Sequence, residues 1–472
     1  MKTIDKIYIN GEFITPHGTE LFDLINPTNN TLIGKVTLAD ETDTRNAIAA
    51  AKQAFKSFSK TTVVERKEYL RRLYDATSKR QDEMVEIMVK EYGGTLQFCR
   101  MSTQNAINAF TRAIETLDVF DFERKVNESK VVLEPLGVVG IITPWNSSNS
   151  FIGNKLSMAI AAGCTAVIKP SEMSASQTEI FTQCLHEAGL PTGVVNIVTG
   201  LGQVVGNEIT VNPDIAKISF TGSTAVGKTI AKGAVDTMKR VTLELGGKSP
   251  NIILDDADFS KAIPMAVIAA FQNSGQACIV GSRLLVPEER LAEVKNLIKE
   301  TVSNNVRVNY PAEEDTTIGP MVSKKQYERV QSYIKLGINE GAELLTGGEG
   351  HPDGLEAGNF VKATVFANVK PTMRIAQEEI FGPVLSILTY KNEDEAIAIA
   401  NDTDYGLMAY VSSGDTERAL RVARQINAGR VAINGLKHDP LAPFGGFKQS
   451  GVGREYGVYG LEEYLEPKTL LQ

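Results

Sequence analysis

The sequence predicts an α/β fold with two domains, each built on a largely parallel sheet. Three observations carry this. From Val138 onward, apolar strand-like runs alternate with helical patterns, a spacing that requires crossovers between parallel strands. The alternation restarts near Ser249. The chain has 472 residues, more than one ordinary hydrophobic core accommodates.

Each element has its own signal. Ile7-Tyr8-Ile9 and Glu12-Phe13-Ile14 flank Asn10-Gly11, a hairpin signature because both turn residues tolerate positive φ. From Thr42 to about Asp118, spaced apolar residues among Ala, Glu, Lys and Arg predict helices. The charged, alternating stretch Glu123 to Glu134 predicts an exposed ribbon. Val138–Ile142, Thr165–Lys169, Val194–Val198 and Lys217–Phe220 read as buried strands, with helices at Lys155–Ala162 and at Ser174–Ala188, the latter stopped by Gly189. Past Ser249, strands are predicted at Asn251–Leu254 and Ser282–Pro287, and helices at Phe259–Asn273 and Glu289–Ser303. The glycine-rich stretch 347–360 predicts a surface loop. Thr389–Asn401 and Asp415–Ala428 resume the alternation.

Composition narrows the function classes. A net charge of −8 argues against nucleic acid or an anionic membrane as partner. The longest weakly polar run, Ser157 to Ile168, falls short of the roughly 20 residues that span a bilayer. Four cysteines, Cys99, Cys164, Cys184 and Cys278, and four histidines show no paired or metal-ligand spacing. Free thiols in a cytoplasmic setting, with no metal, are therefore expected.

Cys278 follows Gly275-Gln276-Ala277, in a small-residue turn beside an apolar run; Glu244 closes the alternating stretch Val241-Thr242-Leu243 and precedes Gly246-Gly247. Read alone, each has a bland interpretation: a packed thiol and a salt-bridged surface glutamate. Together, a thiol nucleophile and a carboxylate base are the minimum for covalent chemistry at a carbonyl carbon. Pro144-Trp145-Asn146 follows a strand; Asn146 is either a turn former or an amide donor to an oxyanion. Lys169-Pro170-Ser171-Glu172 ends the next strand, as a helix start or as a ribose holder whose acid disfavours a 2′-phosphate. Two glycine-rich turns compete for a phosphate: one through Gly200, Gly202 and Gly206, the other Phe220-Thr221-Gly222-Ser223 running on to Val226 and Gly227. Neither matches the usual dinucleotide fingerprint.

Taken together, the segments resemble the aldehyde dehydrogenase superfamily along essentially the whole chain: PWN at 144–146, KPSE at 169–172, FTGSTAVG at 220–227, LELGGKSP at 243–250, GQAC at 275–278, EEIFGPV at 378–384 and PFGGFKQSGVGRE at 443–455. The resemblance implies a Rossmann-like dinucleotide-binding domain over residues 1–118 and 136–246, an α/β catalytic domain over 247–445, and a small β oligomerisation ribbon from 119–135 and 459–472. It makes Cys278 the nucleophile, Glu244 the general base, and Asn146 the oxyanion donor beside the backbone N–H of Cys278. It places Lys169 and Glu172, with Ser171, at the adenosine ribose. Ser223 meets the pyrophosphate, Gly202, Phe220, Gly222 and Val226 are counted among the cofactor contacts, and Trp145, Leu245, Glu379 and Phe381 lie on the nicotinamide side. NAD is the expected cofactor, with NADP possible; a small aldehyde is the substrate, and a homodimer or homotetramer the assembly. One departure stands out: many members continue PWN with Phe-Pro, whereas this chain continues Ser147-Ser148-Asn149-Ser150. The alternatives are a coenzyme A-acylating or phosphorylating semialdehyde dehydrogenase of the same fold, or a catalytically silent structural relative.

Overall fold

The computed structural model describes residues 2–471. An eight-stranded sheet forms the first layer. Its parallel centre runs in the order Arg240–Glu244, Ile215–Thr221, Val138–Ile142, Thr165–Lys169 and Val195–Ile197. The N-terminal hairpin Ile7–Ile9/Glu12–Ile14 closes one edge, and the short strand Gly451–Val452 pairs antiparallel on the other. In the hairpin turn Asn10 and Gly11 both have positive φ, as the Asn-Gly signal requires. The central strands are buried almost throughout, because apolar clusters cover both faces.

A seven-stranded sheet forms the second layer. Its order is Glu343–Thr346, Thr364–Ala367, Val384–Tyr390, Arg283–Pro287, Pro250–Ile253, Met408–Ser412 and Arg430–Ile433, parallel except for the first strand. It too lies between two apolar clusters. The α/β class with parallel sheets is thus the observed one.

Two smaller sheets complete the fold. Lys2–Ile4, Leu21–Asn26 and Thr31–Thr37 pair at the N-terminal side. Glu123–Val126, Ser129–Pro135 and Leu465–Leu470 form a three-stranded ribbon, so the tail returns to the charged stretch predicted to be a ribbon. Among the described residues, no helix is long and apolar enough to cross a membrane.

The predicted elements shift at three places. The helix expected from Lys155 begins at Ser148, so the polar run that departs from the family pattern is the first turn of that helix. Ser148, Asn149 and Ser150 are buried there. The helix expected to end at Asn273 stops at Phe271, because Asn273 and Ser274 have φ of 52° and 57°. A sixteen-residue helix, Lys324–Asn339, was not predicted, although Ser323 caps it by accepting from the Gln326 N–H.

Candidate active site

In the first sheet the chain runs outward from Val138–Ile142 in one direction, then returns to add Ile215–Thr221 on its other side. The carboxyl ends of these two neighbours therefore splay apart and open a crevice. Pro144-Trp145-Asn146 hangs from one end and Thr221-Gly222-Ser223 from the other, and both line a cavity of about 330 Å³. Glu244 ends the adjacent strand, and its carbonyl accepts from the Gly222 N–H. From there Leu245–Ser249 crosses to the second sheet. Cys278 approaches from that side; a Cβ on Gly247 would lie 2.4 Å from the Cys278 carbonyl oxygen. The crossing segment thus rests on the loop carrying Cys278 only because Gly247 has no side chain.

The loop carrying Cys278 is held in an unusual conformation. Asn273, Ser274 and Gly275 are consecutive left-handed residues, and the two non-glycines cost on the order of 1–3 kcal/mol each. Side chains offset that cost. Gln276 is buried, its Oε1 accepting from the Val322 N–H and its Nε2 donating to the Pro320 carbonyl. Asn273 Nδ2 donates to the Gln276 and Asn146 carbonyls at 3.0 and 3.3 Å. Asn146 Nδ2 donates to the same Gln276 carbonyl at 2.9 Å. This leaves the second N–H of Asn146 for a group in the cavity, which Asn146 and Cys278 both line.

The ionisable groups are set mainly by burial. Cys278 keeps part of its surface open to the cavity. Its thiol is nevertheless pushed up by close packing, then by Glu379 and Glu244, while its own backbone N–H opposes the rise. Burial, followed by repulsion from Glu455, holds Glu244 well above the usual carboxylate range; Lys155, Arg454 and Arg430 oppose it. Neither Glu244 oxygen has a partner, and the glycine at 445 leaves room for the carboxylate, since a Cβ there would sit 2.9 Å from Glu244 Oε1. Glu455 is itself paired with the buried Lys155. Because its anion is disfavoured by burial, the Glu244 carboxylate, once formed, is a stronger base than an ordinary carboxylate.

The remaining cavity residues fit a dinucleotide. Glu379 Oε1 accepts from the Gly247 N–H at 3.0 Å, leaving Oε2 for a ribose hydroxyl. Thr221 Oγ1 is buried without a partner. A Cβ on Gly246 would crowd Glu379 Oε2 at 2.5 Å, and one on Gly222 would strike the Phe220 ring at 2.4 Å, so the cradle is open because these positions are glycine. Ser223 caps the helix Thr224–Val235, whose free N–H groups suit a pyrophosphate. Trp145 and Phe381 meet edge to face at 5.5 Å.

Of the sequence-predicted residues, Trp145, Asn146, Gly222, Ser223, Leu245, Cys278, Glu379 and Phe381 line this one cavity. Glu244, one residue before Leu245, is not among the lining residues, but its charge helps push up the Cys278 thiol. Phe220 supports the turn from below. Lys169 is buried, its Nζ donating to the Pro170 carbonyl and pairing with Glu172. Ser171 uses its hydroxyl to accept from the Met173 N–H. Gly202 opens a single wide turn ahead of the helix Asn207–Val211, and Val226 is exposed on its helix; neither lines the cavity. Sequence reasoning missed Gln326 and Arg329. They line the cavity from the unpredicted helix and donate to the Phe381 and Glu379 carbonyls. The cap at Ser323 was the signal that could have exposed them.

A thiol and a side-chain amide lining one crevice between the two sheets, with a buried carboxyl close to the thiol, fit an enzyme of the oxidoreductase class. The chain belongs to the aldehyde dehydrogenase family, whose model matches residues 13–470. It is 44% identical to a putative aldehyde dehydrogenase of Staphylococcus haemolyticus, covering 100% of this chain and 99% of that one. It is also 44% identical to a 3-succinoylsemialdehyde-pyridine dehydrogenase of a Pseudomonas species, with the same coverage. The crystal structure of a cysteine-to-alanine variant of aldehyde dehydrogenase C from Pseudomonas syringae, complexed with NAD+ and octanal, superposes with a TM-score of 0.97 at 44% identity, over 99% of this chain and 96% of that one.

Proposed function

We propose that this chain oxidises aldehydes to carboxylic acids with NAD+, using Cys278 as nucleophile, Asn146 as oxyanion donor and Glu244 as base. The convergence of Asn146 and Cys278 on one cavity, with the buried, unpartnered Glu244 carboxyl near enough to act on the Cys278 thiol, carries this reading. The Cys278 sulfur passes its proton to the Glu244 carboxylate, which releases it to solvent, and adds to the aldehyde carbon. The oxygen of the resulting thiohemiacetal is held by the free N–H of Asn146 and the backbone N–H of Cys278; losing one such donor typically costs about 2.7–4 kcal/mol of transition-state stabilisation. When bound, the nicotinamide supplies the hydride acceptor. Glu244 then takes a proton from the water that opens the Cys278 thioester. A carboxyl free of hydrogen bonds is suited to this, and it favours hydrolysis over transfer to coenzyme A or phosphate.

Glu379 would hold the nicotinamide-side ribose, Ser223 the pyrophosphate, and Lys169 with Glu172 the adenosine ribose, where the Glu172 charge favours NAD+ over NADP+. We further infer a division of the chain near residues 246–250, a cytoplasmic setting for its free thiols, and assembly into a homodimer or homotetramer through the ribbon.

The test is NADH formation over aliphatic, aromatic, amino and carboxylated aldehydes, run with both cofactors and without coenzyme A or phosphate. Cys278→Ala is expected to abolish it. Glu244→Gln is expected to keep a first-turnover burst and slow the steady state. Unchanged turnover in the glutamine variant at neutral pH overturns the base assignment, and strict dependence on coenzyme A or phosphate overturns hydrolysis.

A further inference from the structure

We propose that Tyr92 is a positioning residue for the oxyanion site: its phenol fixes which way the Asn273 amide faces, and that amide ties the Asn146 turn to the loop carrying Cys278. The inference rests on the reading of Asn146 as oxyanion donor. Tyr92 closes the helix Gln81–Tyr92 and is almost fully buried. Its hydroxyl donates to Asn273 Oδ1 at 2.8 Å and accepts from Gln276 Nε2 at 3.4 Å. Its ring lies 5.9 Å from that of Trp145, the residue preceding Asn146.

An asparagine amide has one accepting and one donating end. With Oδ1 held by the phenol, Nδ2 must face the Gln276 and Asn146 carbonyls. The Gln276 carbonyl also receives Asn146 Nδ2, so its two lone pairs serve two amides that share one geometry. Flipping Asn273 would turn Oδ1 onto two carbonyl oxygens and Nδ2 onto the phenol. Burial keeps the phenol protonated, and therefore a donor. Removing this hydroxyl frees the Asn273 amide to rotate and loosens the shared Gln276 carbonyl that orients Asn146, and with it the direction of the free Asn146 N–H. It does not touch the sulfur.

The test separates steps that need an oxyanion from one that does not. In Tyr92→Phe, the rate of the NADH burst with NAD+ and saturating aldehyde is expected to fall about ten- to a hundredfold, the scale of a small misplacement of a catalytic group. Alkylation of Cys278 by iodoacetamide, which forms no oxyanion, is expected to keep its rate. Peptide mass spectrometry assigns that reaction to Cys278, since the other three cysteines are buried. Burst amplitude per chain corrects for any unfolded fraction. Asn273→Asp, which replaces the donating end with an acceptor, is expected to show the same split and serves if Tyr92→Phe does not fold. An unchanged burst rate, or alkylation slowed by the same factor, overturns the proposal. Asn146→Ala distinguishes the two readings. If it slows the burst while Tyr92→Phe does not, only the role of Tyr92 fails; if it leaves the burst intact, the oxyanion reading fails and takes this inference with it.

Discussion

At the residue scale, Glu244 is a site where the proposed base role and stability pull in opposite directions. Its carboxyl is buried and no group donates to either oxygen, so its charged form is strongly disfavoured in the folded chain. The unfolded chain has no such penalty. As pH rises past the ordinary carboxylate range, the unfolded state loses its proton first, and stability falls until the folded carboxyl also ionises, by at most about 1.4 kcal/mol per pH unit. Glu244→Gln removes the titration. Its thermal midpoint is therefore expected to exceed that of the parent chain, by a margin that grows from pH 5 towards alkaline pH. A margin that is flat or shrinking with pH in calorimetric scans contradicts this. The same group is expected to give turnover an acid limb well above the ordinary carboxylate range.

At the element scale, the loop carrying Cys278 shows what a sequence conveys and what it withholds. Gly275-Gln276-Ala277-Cys278 marks a tight turn around a thiol, and that much is legible. The left-handed run at Asn273 and Ser274 is not, because it depends on partners far away in the chain: Tyr92 for Asn273, and the Gly319 N–H for the Ser274 hydroxyl. The strands from Val138 to Glu244 are legible because both faces are buried and each ends at a turn motif. The helix Lys324–Asn339 is harder to read, since its buried face is confined to Val330, Tyr333, Ile334 and Gly337 amid charge. Gly275 offers a direct test of the loop. Its φ is +72°, and a Cβ would lie 2.1 Å from the Gly382 carbonyl oxygen. Gly275→Ala is expected to cost about 2–4 kcal/mol and to lower kcat/KM at least a hundredfold, because the shift it forces passes directly into Cys278. Near-parental kcat/KM would mean that the turn tolerates another geometry.

At the scale of the whole molecule, the two large sheets account for the crevice but not for the ribbon. Family resemblance made the ribbon's place in the chain legible; the partner that would cover it lies outside a single sequence. Glu123–Val126 is exposed along its whole length, and Leu465–Leu470 pairs on one side only. Both outer edges thus present unpaired backbone groups, and Val126 and Leu470 are exposed beside them. Such edges are normally paired or shielded. Charged pairs across the ribbon, Lys130–Glu123 and Lys468–Glu134, set its register but, being solvent-exposed, add little stability. A ribbon whose outer edges are unpaired is expected to be stabilised by a second copy, which would couple the tail to the fold of its neighbour. Light scattering at micromolar concentration is therefore expected to give two or four times the mass of one chain. A chain ending at Tyr464 loses the third strand of the ribbon but no residue of the cavity. It is expected to shift towards monomer and to unfold at a temperature that depends on protein concentration, with its NADH burst per folded chain retained. A full-length monomer, or a shortened chain that assembles as the parent does, would place the contact elsewhere on the surface.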